Sequence, residues 1–267
     1  MGKRSIYLKS AEEAEIIRAN GDILGKTHAE VAKVLDEGVT TDRLDEVAEQ
    51  FIKDNGGVPS FKGYGGFPAS LCISVNEVVV HGFPSDRVLK SGDIISIDCG
   101  VYKNGFHADS AYTYMIGEVD DSVKELLKTT KESLYEGINQ VKPGNRIGDL
   151  SYAIQSYNER SGYGIVRELV GHGVGKHLHE APEVPNFGKR GNGPRMKKGM
   201  VIAIEPMVTL GKRFVLQEED GWTIRTEDRS AAAHYEHTVM VTENGYDILT
   251  TFEYIEKVLE EKKMFFV

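Results

Sequence analysis

Cysteine is almost missing from this 267-residue chain: Cys72 and Cys99 are the only two, and their spacing fits neither a metal knuckle nor a redox pair. A disulfide framework is excluded, and both thiols are expected to be small buried hydrophobes. No apolar run approaches the roughly 18 residues that span a bilayer, so a transmembrane helix is excluded. Met1-Gly-Lys-Arg-Ser-Ile6 carries two basic residues with no apolar stretch behind them, so no secretory signal is read, and Ile6 breaks the myristoylation pattern. Basic charge is in deficit, with 32 Lys and Arg against 41 Asp and Glu, a formal charge of -9. That balance argues against a nucleic-acid partner. With 40% hydrophobic residues, 27% charged residues and a mean hydropathy of -0.33, the chain reads as a soluble cytoplasmic protein that can bury a core without staples.

What is present begins with an internal echo. Leu89-Lys-Ser-Gly-Asp-Ile-Ile-Ser-Ile-Asp98 and Met196-Lys-Lys-Gly-Met-Val-Ile-Ala-Ile-Glu205 each run from a basic turn through glycine and an apolar strand to a carboxylate, 107 residues apart. Gly38-Val-Thr-Thr-Asp-Arg-Leu44 and Gly144-Asn-Arg-Ile-Gly-Asp-Leu150 repeat at an offset of 106, ahead of amphipathic helices that end at Asn55-Gly56 and Ser161-Gly162. Two agreeing offsets imply one structural period. The expected fold class is α+β, a pseudo-twofold duplicated half whose antiparallel sheets meet at a seam with helices outside. One catalytic domain is read over residues 1–267, with half one at about 10–118, half two at about 119–250 and a tail at about 251–267. Ser10 with Glu13 forms a capping-box signature, and Ala14, Ile17, Gly21, Leu24, His28, Val31 and Leu35 recur at helical spacing. The tail from Phe252 to Val267 reads as a charged helix finishing in Met-Phe-Phe-Val.

Asp98 ends an apolar strand, where an ionised carboxylate is costly unless paired or bound to metal. Asn104-Gly105 is a strong two-residue hairpin signal. With those two as the turn, Lys103 opposes Phe106, Asp98 opposes Ala111 and Gly100 opposes Asp109. Asp98 and Asp109 then share one face as diagonal neighbours about 7–8 Å apart at the backbone. Glu205 takes the place of Asp98 in the second copy, and Glu236 sits in a later apolar strand, Tyr235-Glu-His-Thr-Val-Met-Val241. Four carboxylates gathered at one seam would repel one another, so the cluster makes sense with two divalent cations that balance it. His172, in Gly171-His-Gly-Val-Gly-Lys-His-Leu-His-Glu-Ala-Pro182, is the candidate imidazole. Oxygen ligands with one imidazole suit Mn, Co, Fe or Zn and do not choose among them.

At this point the sequence resembles a known family. The strings YGGFPASLCISVNEVVVHG from Tyr64, IDCG from Ile97, FHADS from Phe106, GHGVGKHLHEAPEVPNFG from Gly171, AIEP from Ala203, DGWT from Asp220 and YEHT from Tyr235 are similar to motifs of the type I methionine aminopeptidases. Those enzymes have the duplicated pita-bread fold, shared with proline-specific peptidases and creatinase. The likeness runs in order from about residue 10 to 250. It implies that Asp98, Asp109 and Glu236 hold one metal while Asp109, His172, Glu205 and Glu236 hold the other. His81 and His179 match the family's two substrate-contacting histidines. Phe61, Tyr64, Phe67, Cys72, Leu178 and Trp222 fall where the family lines an apolar pocket for methionine. Ala232-Ala233-His234 departs from the serine, alanine and glutamine common there, next to a monovalent-cation site, and the helical tail is unlike the family's strand-rich ending.

The implied reaction is removal of the initiator methionine from nascent polypeptides when the second residue is small. Two metals would acidify a bridging water to hydroxide and polarise the scissile carbonyl, with Glu205 taking the proton. His179 would stabilise the tetrahedral intermediate and His81 would meet the leaving nitrogen. The substrate's free α-amine would sit, neutral, at a metal. The expected partners are nascent N-termini, with transient ribosome association left open, no membrane partner and a monomeric enzyme. A proline-specific peptidase would share all five ligands, but such enzymes usually carry an extra N-terminal domain and only some ten residues precede the shared fold here. A metal-free binding module of the same fold would have lost ligands, and all five positions are intact.

Overall fold

The computed structural model describes residues 5–264 together with 266 and 267; expectations that fall on Met1, Gly2, Lys3, Arg4 and Phe265 lie outside the described residues. Five helices are described: α1 (Ala11–Val34), α2 (Thr41–Asp54), α3 (Asp121–Ile138), α4 (Ile147–Arg160) and α5 (Glu253–Glu261). α1 begins where Ser10 and Glu13 exchange side-chain to backbone bonds, satisfying two otherwise orphaned amides. Its apolar stripe turns inward, and burying each of Ile17, Leu24 and Val31 contributes about 1.5–3 kcal/mol. α2 and α4 stop at Asn55 and Ser161, where Gly56 and Gly162 take positive φ, as the turn signals imply.

A central hairpin pairs Ile94–Lys103 with Phe106–Met115, and the first of these strands also pairs with Leu71–Val75 and Val58–Pro59. In the second half, a five-stranded antiparallel sheet runs in the order Tyr246–Ile248, His237–Val241, Val201–Ile204, Gly171–Gly173, Glu180–Val184. Two helices followed by strands therefore occur twice in chain order. Asp98 does not end its strand: the hairpin carries the strand on to Lys103.

The two sheets meet along Phe106–Met115. Thr238 Oγ1 donates to Asp109 O at 2.8 Å and accepts from Asp109 N at 3.1 Å, while Glu236 N donates to Ala111 O at 2.9 Å. Thr113 Oγ1 makes the matching pair with the backbone of His234. Hydroxyls thus complete the backbone pairing at the seam, where unpaired donors would be costly. α1 lies against the hairpin, α2 and α5, so the tail closes the outside of the first half. Both cysteines are free and buried.

Candidate active site

The site is assembled from the hairpin outward. Asn104 and Gly105 both have positive φ, the geometry of a tight two-residue turn. The register places Lys103 opposite Phe106, Asp98 opposite Ala111 and Gly100 opposite Asp109, as the alternation predicts. A Cβ on Gly100 would come 2.7 Å from Ser60 Cβ and 3.0 Å from Phe61 Cε1, so glycine there lets the Phe61 segment lie against the hairpin. Cys72 stands opposite Asp98 on the other side, joining the apolar wall to the carboxylate.

The second half delivers its groups by similar means. Glu205 directly follows Val201–Ile204 and precedes Pro206, which ends the pairing. Gly171 and Gly173 flank His172 because their strand is squeezed between two neighbours; added Cβ atoms would sit 2.4 Å from Ala203 O and 2.3 Å from Ala181 O. His172 Nδ1 donates to Gly173 O at 2.9 Å, which leaves the Nε2 lone pair free to face the carboxylates. Nε2 lies 3.4 Å from Glu205 Oε1 and 3.8 Å from Asp109 Oδ2. Glu236, expected inside an apolar strand, instead just precedes His237–Val241 and is bonded across the seam to the first half's hairpin.

The electrostatics of this cluster are unfavourable as it stands. Burial, followed by the neighbouring carboxylates, raises Asp98, Glu205 and Glu236 well above the ordinary carboxylate range. Burial pushes Asp109 up to about 7 and pushes His172 down to about 3. Asp98 Oδ1, Asp109 Oδ1, Glu205 Oε1 and Glu236 Oε1 are all buried without a hydrogen-bond partner. Donor atoms of Asp109, His172 and Glu236 lie within 4.8 Å of one another, and all three residues are buried. Orphaned oxygens converging with a neutral imidazole fit divalent-metal ligation, which would supply the missing partners.

A cavity of about 320 Å³ opens above the cluster. Asp98, Asp109, His172, Glu205 and Glu236 line its floor. His81 and His179 border it, and Phe61, Tyr64, Phe67, Cys72, Leu178 and Trp222 make its apolar wall. Phe67 and Trp222 meet edge to face with centroids 5.4 Å apart. His81 has a left-handed φ of 60°, an uncommon conformation for histidine, at the end of Val78–Val80. Its neighbour Gly82 permits this sharp exit, since a Cβ there would lie 2.2 Å from Ile73 O. His179 shares a 2.8 Å hydrogen bond through Nδ1 with the Tyr64 hydroxyl, and its ring lies 4.2 Å from that of His172. A wider groove of about 1810 Å³ adjoins the cavity and shares His172 and His179 with it.

Sequence reasoning passed over His234 as a site residue. It lines the cavity, its Nε2 is buried without a partner 3.8 Å from Glu205 Oε2, and burial lowers it to about 3. The signal was available, as the departure at Ala232-Ala233-His234, but spacing alone does not say that this side chain turns inward.

The sequence pattern of metallopeptidase family M24 matches residues 15–243, a span containing every residue of this floor and wall. The chain belongs to metallopeptidase family M24. Among M24 relatives, methionine aminopeptidase 1 of Bacillus subtilis (strain 168) is 52% identical over 245 residues, covering 92% of this chain and 99% of the relative. The methionine aminopeptidase of Thermotoga maritima superposes with a TM-score of 0.91 at 44% identity, covering 92% of this chain and all of that one. Prolidase from Pyrococcus furiosus superposes at 0.76 with 26% identity, covering 91% of this chain and 65% of that one. The M24 fold here is the pita-bread fold of both neighbours, mixing helices with antiparallel sheets. This M24 chain is a metal-dependent peptidase, and among its described residues no helix is long and apolar enough to cross a membrane.

Proposed function

We propose that this enzyme is a methionyl aminopeptidase that removes the initiator methionine of nascent polypeptides whose second residue is small, using two divalent ions. The observation that carries this reading is an apolar cavity of about 320 Å³, sized for one long side chain, ending on a floor of buried carboxylates. Asp98, Asp109 and Glu236 would hold one ion, and Asp109, His172, Glu205 and Glu236 the other. When bound, Mn, Co, Fe or Zn ions supply Lewis acidity at the scissile carbonyl and make a nearby water acidic.

The residues of the chain supply the rest. Glu205, whose Oε1 has no protein partner, accepts the proton of the attacking water. Burial holds His179 below its ordinary pKa and therefore neutral. With Nδ1 accepting from the Tyr64 hydroxyl, His179 Nε2 carries the N–H that donates to the developing oxyanion. His81 meets the nitrogen that leaves. A substrate with residues ahead of the first would drive them into the carboxylate floor, so only an N-terminal residue fits. The adjoining groove receives the chain downstream of the cut, which accords with a nascent polypeptide as partner, cytoplasmic work and transient contact at the ribosome.

Phe67, Cys72 and Trp222 suit an unbranched thioether, with sulfur near aromatic edges. Peptides beginning Met-Gly, Met-Leu, Leu-Gly and Ala-Pro, compared by released amino acid and kcat/KM, test the reading. Each misplaced methylene is worth about 1–3 kcal/mol, so Met-Gly should lead by a large factor. Equal cleavage of Leu-Gly or Met-Leu would replace it with a broader aminopeptidase, and preference for Ala-Pro with a proline-specific one.

A further inference from the structure

Lys9 is a buried lysine that the chemistry above leaves unused. It precedes the matched M24 span of 15–243, and its side chain is only 1% exposed. A lysine so placed is costly without a partner. Its Nζ donates to Glu180 Oε2 at 2.6 Å, and Glu180 is itself 9% exposed. The other oxygen of Glu180 accepts the His177 backbone N–H at 3.1 Å. Gly175 N donates to His177 O at 3.1 Å, and Gly175 O accepts from His107 N at 2.8 Å. Residues 175–180 therefore form a loop closed on itself and pinned at one end to Lys9.

Lys9 is held in turn. Its N–H donates to Gly199 O at 2.6 Å, and Nζ also donates to Tyr7 O at 3.3 Å. Glycines let the chain lie close against Lys9: a Cβ on Gly175 would lie 2.4 Å from Lys9 Cε, and one on Gly199 would lie 2.6 Å from Lys9 O. The pinned loop presents two side chains to the cavity, Leu178 in the apolar wall and His179 at its border.

We propose that Lys9 is a positioning residue for His179: by neutralising and fixing Glu180, it sets the place from which the His179 imidazole meets the substrate. This rests on the role given to His179 above. A buried ion pair adds little net stability but penalises every geometry that leaves one charge uncompensated. Such selection matters here because a misplacement of about 1 Å can cost on the order of 100-fold in rate. His172 touches this loop but also has support outside it, since its strand pairs with Val201–Ile204, so metal affinity is measured alongside kcat to separate a shift of His179 from a loss of metal.

The test is a cycle of Lys9→Met, His179→Ala and the double variant in the full-length enzyme. Readouts are kcat and KM on a Met-Gly-leading peptide, Mn²⁺ affinity by calorimetry, and melting temperature. Lys9→Met is expected to lower kcat about tenfold, with KM and Mn²⁺ affinity each within about threefold, and to add less than about twofold in the His179→Ala background. Equal losses in both backgrounds would mean that Lys9 only stabilises the fold, and would overturn the proposal. So would an unchanged kcat in Lys9→Met alongside a large loss in His179→Ala. If His179→Ala itself leaves turnover intact, the assignment of His179 fails first and the Lys9 proposal with it. Should Lys9→Met not fold, Glu180→Gln takes its place in the same cycle, since its amide oxygen keeps an acceptor for His177 while the charge and the acceptor that Lys9 uses are lost.

Discussion

Asp98 and Asp109 stand diagonally across one hairpin, each opposite a small residue of the other strand, Ala111 for Asp98 and Gly100 for Asp109. The small partners leave the space between the two carboxylates open. Both then lie beside groups from the second half, with His172 Nε2 3.8 Å from Asp109.

In the proposed ligand set Asp109 would serve both ions, so Asp109→Asn should release at least one of the two expected metal equivalents on mild dialysis and lower turnover by at least about 100-fold. Metal content by elemental analysis checks this. Retention of both equivalents would reject the bridging role. The same substitution should raise the melting temperature of chelator-treated protein, because it removes one of several buried, mutually repelling carboxylates.

Glu205→Gln keeps the shape of the site and removes the proposed base. The expected loss in turnover is at least about 100-fold, which is about 2.7 kcal/mol in the barrier. It should be measured under metal saturation, so that weaker binding does not stand in for lost proton transfer. Near-normal turnover there would assign the proton to another group.

His28 offers a pH test away from the site. It is fully buried in α1, donates from Nε2 to Ser110 O at 3.1 Å, and receives the Tyr114 hydroxyl at Nδ1 over 3.3 Å. Both nitrogens of the neutral ring are thus satisfied, and burial lowers its pKa to about 4. As pH falls through about 6.5 the unfolded chain takes up the proton first, so stability is lost between about 6.5 and about 4 and is unaffected above that window. The loss from this group is about 3 kcal/mol. Urea unfolding of chelator-treated protein at pH 7.5 and 4.5 should show a shallower decline for His28→Gln than for the parent. Identical declines would exclude His28 as a contributor.

Lys262, just after α5, reaches across to the end of α1, where its Nζ donates to Ala32 O, Lys33 O and Leu35 O at 3.2, 3.2 and 2.6 Å. These are the carbonyls a helix leaves without internal partners, at the negative end of its dipole. Lys262→Met should cost about 1–2 kcal/mol in chemical denaturation and leave kcat unchanged. A loss of activity without a loss of stability would contradict this capping role.

Much of this protein was legible locally. The hairpin register follows from an Asn-Gly turn and a side-chain period of two, so it needed nothing beyond residues 94–115. The start of α1 followed from Ser10 and Glu13, its buried face from a period of 3.6, and the duplication from two matching offsets. Resemblance, rather than spacing, singled out His81, His179 and the apolar wall.

Only the tertiary structure decided which distant groups meet. Thr238 and Asp109 are bonded across a separation of 129 residues, and it is such seam contacts that carry Glu236 to the hairpin, ahead of its own strand. His234, Lys9 and Lys262 became informative in the same way. Each becomes informative through a group brought by another element: Glu205, 3.8 Å from His234 Nε2, Glu180 for Lys9 and the end of α1 for Lys262. Periodicity reports which face of an element is buried, because sterics repeat along one strand or helix. It carries no information on what will cover that face, which depends on how the sheets and helices close on one another.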